Sequence, residues 1–133
     1  MTVLRTMDVQ TLARRLEVGA VTLVDVRERH EHASEWIAGA LSWPLSRIGQ
    51  APPALPAAGD LVFHCKSGMR TDAHGARLAA HARGNGFVLV GGIEAWKRAG
   101  MAVERGVANA SASGKSGGVM SAIVRLFGSR GES

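Results

Sequence analysis

The stretch Leu61-Val-Phe-His-Cys-Lys-Ser-Gly-Met-Arg-Thr71 decides the fold. Leu61 to His64 is a short, mainly apolar run without polar alternation, which predicts a strand buried on both faces. Cys65 to Arg70 is a short loop built around Gly68, and a helix is predicted from Thr71 to Arg83. Reading outward, this strand–loop–helix unit recurs. On the N-terminal side, Asp8 caps a predicted helix over Val9 to Val18, with Val9, Leu12, Ala13 and Leu16 on one face and Gly19 ending it. Val21 to Val26 is a second buried strand, Glu28 to Trp36 a polar helical stretch, and Ala40 to Trp43 a short strand stopped by Pro44. Ala51 to Gly59, with its prolines, is a loop. On the C-terminal side, Gly84-Asn-Gly86 ends the helix and Phe87 to Val90 is a third buried strand. Gly91-Gly92 then leads into a helix over Ile93 to Arg98. Strands alternating with helices predict an α/β domain with a parallel sheet covered on both faces.

The 133 residues suit one domain, placed at 1–106, followed by a tail. Residues 107–118 are rich in Ser, Ala and Gly and read as a flexible linker. Residues 119–133 are a short amphipathic segment, with Val119, Ile123, Leu126 and Phe127 near one helical face. This tail could cover its own domain or dock a partner or second copy; an anionic membrane surface is the least favoured occupant. The hydrophobic share of 46% against 20% charged excludes a mainly disordered chain. No apolar run is long enough for a membrane span, and Met1 to Met7 lacks the apolar centre of a signal peptide. One cysteine excludes an intrachain disulfide and a cysteine-based zinc cluster, and the cytoplasm is the simplest compartment. The net charge is +5, and 13 of the 16 basic residues are Arg, which suits an anionic ligand. These residues are scattered, and aromatics are only 5% with no Tyr, so no nucleic-acid partner is expected.

In open α/β sheets ligands bind beyond the carboxyl ends of the strands, which is where Cys65 falls. A tight strand-to-helix loop can turn backbone N–H groups inward, and Lys66 and Arg70 add full positive charges. Such a setting favours a thiolate nucleophile, and the same donors suit a bound anion.

Three segments together resemble the rhodanese family of sulfurtransferases. Cys65-Lys-Ser-Gly-Met-Arg-Thr71 is similar to its active-site loop. Val24-Asp-Val-Arg-Glu28, with Glu31 and Ile37-Ala-Gly-Ala40, resembles its first motif, and Leu89-Val-Gly-Gly-Ile-Glu-Ala-Trp96 with Gly100 its closing motif. The resemblance covers about residues 5 to 104, and departs at Glu35-Trp36, where many members carry Gly-His. It implies a three-layer α/β/α fold around about five parallel strands. It also implies a Cys65 persulfide, loaded by thiosulfate or a similar small anionic donor. Cyanide or a thiol, including a protein thiol, would be the acceptor, with no cofactor and no metal. Lys66, Ser67, Gly68, Met69, Arg70 and Thr71 would surround the substrate.

Four residues separate Cys65 from Arg70, and the sixth position after Cys65 is Thr71. The related cysteine phosphatases have five intervening residues, so this cradle suits one sulfur atom rather than a phosphate. An arsenate reductase, or a regulatory docking module with a sensing cysteine, stays open beside the sulfurtransferase. Arg70 has two candidate uses, attraction of the donor or an ion pair with Glu28 or Asp72. Lys66 is expected at the entrance. Met69 is expected to supply a backbone N–H and an apolar wall. Ser67 and Thr71 either donate to the persulfide or cap the following helix. Asp25 and Arg27 read as structural. His30 and His32 cannot share a helical face and read as solvated, and His64 is expected to point away from Cys65. Trp96 reads as core, and Gly114-Lys-Ser116 lacks the strand and glycine of a phosphate loop.

Overall fold

A computed structural model describes residues 4–50, 53, 55, 59–82 and 85–106. The elements run β1 (Arg5–Met7), α1 (Val9–Glu17), β2 (Val21–Asp25), α2 (Arg29–Ser34), β3 (Glu35–Trp36) and β4 (Leu41–Ser42). A 3-10 turn at Leu45–Arg47 precedes β5 (Asp60–His64), α3 (Met69–Ala73), α4 (Gly75–Ala79), β6 (Gly86–Leu89), α5 (Gly92–Arg98) and β7 (Glu104–Arg105). Five strands form one parallel sheet in the order β1-β6-β5-β2-β4, so β5 lies at its centre. The fold is therefore α/β, as the alternation of elements predicts.

Side-chain alternation along the strands divides the core into two layers. Leu23, Val62 and Leu89 pack with Leu12 of α1 and with Ile93 and Trp96 of α5. Val24, Leu61 and Phe63 face the other way, with Trp43 and Leu78 of α4. Cys65 belongs to this second layer. Because helices cover both faces, β5 has no solvent side to mark with polar residues, and its apolar run follows.

Helix α1 begins where the sequence predicts. Its cap is Asp8, whose Oδ1 accepts from the Thr11 N–H at 2.8 Å. Other expectations are corrected. The stretch from Glu28 is helical only to Ser34; Glu35 and Trp36 are extended and pair antiparallel with Arg105 and Glu104. The helix expected from Thr71 to Arg83 starts at Met69, breaks at His74 and ends at Ala79. His74 leaves helical geometry just before Gly75, a weak helix former. The short strand expected from Ala40 is confined to Leu41 and Ser42. Within the loop expected at 51–59, residues 51, 52, 54 and 56–58 lie outside the described residues. The linker and tail expected at 107–133 also lie outside them.

Candidate active site

Cys65 follows the central strand, between the carboxyl ends of β2 and β6. Its side chain is only 1% exposed, and the Gly68 N–H donates to Sγ at 3.0 Å. Gly68 achieves this in the left-handed region, at φ 100°. Thr71 Oγ1 lies 3.8 Å from Sγ and donates to the Gly68 carbonyl at 3.0 Å, so it braces the loop across its turn.

The loop is also held from behind. The Ile93 N–H donates to the Cys65 carbonyl at 2.9 Å, and the Glu94 N–H to the Lys66 carbonyl at 3.0 Å. These are N–H groups of the first turn of α5, free of intrahelical partners, so the helix start completes the loop's hydrogen bonding. Gly92 permits the approach: a Cβ there would lie 2.5 Å from both carbonyl oxygens. The sequence motif Gly91-Gly92 is thus a packing surface for the loop.

Arg70 pairs with Glu31 of α2, through two parallel hydrogen bonds of 2.8 Å. This corrects the expectation of Glu28 or Asp72. The Arg70 guanidinium holds the Glu31 carboxyl down at about 2, and Glu31 in turn raises the pKa of Arg70. Two N–H groups of Arg70 are thereby committed, yet 36% of the side chain remains exposed. Lys66, Ser67 and Met69 are exposed, Met69 at 76%. Lys66 borders a cleft of about 190 Å³ that it shares with Glu35, Glu94 and Lys97. Met69 borders a second, of about 340 Å³, with Ser67, Thr71, Val88 and Val90. The loop therefore borders a charged cleft on one side and, on the other, one that mixes Met69, Val88 and Val90 with Ser67, Thr71 and Asp72.

Beneath the loop lies a buried polar cluster. Asp25 is fully buried and takes hydrogen bonds from Arg27 Nε and Nη2, the shortest at 2.8 Å. Burial alone would raise the Asp25 pKa; Arg27, His64 and His32 outweigh it and hold the carboxyl below its ordinary range. His64 Nδ1 donates to the Cys65 carbonyl at 3.1 Å, whereas its Nε2 has no hydrogen-bond partner among the described residues and faces Asp25 Oδ1 at 3.9 Å. The imidazole thus makes no pair with the thiol. Burial pushes its pKa down, favouring the neutral ring. His30 is exposed, but His32 is not the solvated residue expected, because its Nδ1 sits 2.8 Å from Asp25 Oδ2. Spacing correctly separated His32 from His30 but carried no signal for this contact. Among the described residues, no group of three or more His, Cys, Asp or Glu side chains is placed to hold a metal ion. None of their helices is long and apolar enough to cross a membrane.

A family model described as "Rhodanese-like domain" matches residues 8–99. The chain belongs to the rhodanese-like family. This domain is 35% identical over 97 residues to a sulfurtransferase of Allochromatium vinosum, covering 72% of this chain and 91% of that protein. It is also 35% identical over 98 residues to a helix-turn-helix type transcriptional regulator of Mycobacterium tuberculosis, covering 71% of this chain. The rhodanese-like chain spans only 42% of that regulator's length. Among solved structures, a thiosulfate sulfurtransferase of Pseudomonas aeruginosa superposes with a TM-score of 0.69 at 30% identity. That match covers 79% of this chain and 20% of the other.

Proposed function

We propose that the protein is a sulfurtransferase that carries a sulfane sulfur on Cys65. The thiolate attacks the outer sulfur of thiosulfate or a similar small anionic donor. The bond between the two donor sulfurs breaks, sulfite leaves with its electron pair, and a persulfide remains on Cys65. Cyanide or a thiol then attacks the outer persulfide sulfur, forming thiocyanate or a new persulfide and returning the Cys65 thiolate. The reading rests on one observation: Gly68 directs its N–H at Sγ from 3.0 Å in a loop that follows the central strand. A donor there stabilises anionic sulfur in both half-reactions. Lys66 and the exposed part of Arg70 supply attraction for an anionic donor, Ser67 and Met69 form the rim, and Thr71, buried behind them, holds the turn of the loop. A lone reactive thiol suits a reducing compartment such as the cytoplasm.

Mass spectrometry before and after thiosulfate tests the proposal. One added sulfur on Cys65, transferred to cyanide, supports it; Cys65→Ser should show neither adduct nor thiocyanate. Full turnover by the serine variant overturns it. Similarity to part of a transcriptional regulator favours a second reading, a docking module with a sensing thiol. Persulfide formation without turnover of any acceptor would support that one.

A further inference from the structure

Helix α2 spans six residues, and two adjacent side chains on it grip different parts of the site. Glu31 holds Arg70, which closes the cysteine loop. His32 holds Asp25, the last residue of β2. The two anchors differ in rigidity. Asp25 is fully buried, paired with Arg27 and in register with His64 on the central strand. The Glu31–Arg70 pair is partly exposed, and such a pair does not by itself fix two long side chains. Helix α2 has no buried side chain of its own, so apolar packing does not seat it. The His32 ring is oriented further by stacking on Trp36, with centroids 5.8 Å apart and planes at 25°.

We infer that His32 is a positioning residue. By bonding to Asp25 it seats the turn of α2 that presents Glu31, and Glu31 thereby holds Arg70 at the end of the cysteine loop. The carboxylate accepts, so Nδ1 carries the proton, in the neutral ring and in the imidazolium alike. The consequence for donor binding rests on the function proposed above, whereas the effect on Glu31 does not.

The test uses the full chain and three variants. His32→Phe keeps a flat ring over Trp36 and removes the donor. His32→Asn places an amide N–H near the position of Nδ1. His32→Gln carries its amide one bond further out, and serves if the Phe variant does not fold. The Glu31 carboxyl carbon is followed by NMR from about pH 6 to about pH 3.5, a range that spans the ordinary carboxylate value. With its pKa held at about 2, Glu31 should give a nearly flat trace in the parent and in His32→Asn. In His32→Phe or His32→Gln its pKa should rise toward the ordinary value and bring a titration step into this range, although the Glu28 N–H still donates to Oε1 at 3.0 Å within the helix start. The KM for thiosulfate should rise on the order of tenfold in the same two variants, recover in His32→Asn, and show no further rise when Arg70→Ala is added. A flat Glu31 trace in folded His32→Phe or His32→Gln overturns the inference, as does an undiminished KM effect in the Arg70→Ala background. Absence of thiosulfate turnover in the parent would instead refute the proposed function and leave the Glu31 measurement decisive.

Discussion

Replacing Gly92 by alanine tests how the cysteine loop is held. Gly92 has φ 61°, a conformation that costs an alanine about 1–2 kcal/mol. The new Cβ would also lie 2.5 Å from the carbonyl oxygens of Cys65 and Lys66 and 2.6 Å from the Lys66 carbonyl carbon. These are backbone atoms, so relief requires the loop to move away from α5. That movement lengthens the bonds from the Ile93 and Glu94 N–H groups, each worth about 0.5–1.5 kcal/mol. The total expected loss is about 2–5 kcal/mol. Gly100→Ala is the matched control: its φ is 84°, but a Cβ there meets nothing within 4 Å, so only the conformational cost remains. Urea denaturation of both variants gives the stabilities, and mass spectrometry gives the rate of persulfide formation. Gly92→Ala should lose more stability than Gly100→Ala, and should load sulfur slowly even when folded. Equal destabilisation with unimpaired loading in both would refute the close-approach argument.

Asp25→Ala leaves the buried Arg27 guanidinium without its carboxylate and should cost about 3–5 kcal/mol in urea denaturation; a loss below about 1 kcal/mol would contradict the role given to the pair. Because the Glu31 pKa falls from 4.5 unfolded to about 2 folded, its contribution to stability is complete above about pH 4.5 and disappears as pH falls through about 2. Acid unfolding of Glu31→Gln should therefore show a weaker pH dependence across that window, and a curve parallel to the parent's would refute the assignment. A chain ending at Gly106 should retain thiosulfate:cyanide turnover close to that of the full chain; loss of turnover in a folded product would place residues 107–133 in the site.

The central strands were legible because burial on both faces leaves an unbroken apolar signature, visible at Val21 to Val26 and Leu61 to His64. Strand β1 left no such mark: it has three residues, two of them exposed, and exists through its pairing with β6. The two-residue strands β3 and β7 are likewise specified by each other, across the sequence separation of Glu35 from Arg105 and Trp36 from Glu104, rather than by composition. In the site, Cys65, Gly68 and Thr71 were readable because one continuous loop brings them together. The partner of Arg70 was not, because Glu31 lies 39 residues away and several acids were chemically equivalent candidates. His32 was misread because helix spacing reports which residues share a face, not which buried carboxylate that face meets.

The pairing of β3 with β7 determines where this domain can be cut. The family match ends at residue 99, yet the chain returns afterwards to α2: Glu104 and Arg105 pair with Trp36 and Glu35, and the Gly106 N–H donates to the Ser34 carbonyl at 3.0 Å. A fragment trimmed to residue 99 would expose an unpaired strand edge directly after the helix bearing Glu31 and His32. It would also remove the Arg105 partner of Glu35. Any downstream fusion leaves the domain beside the end of α2, so a load on that junction pulls on a two-residue latch attached to the clamp around Arg70. Ending a fragment at or after Gly106 keeps that latch closed.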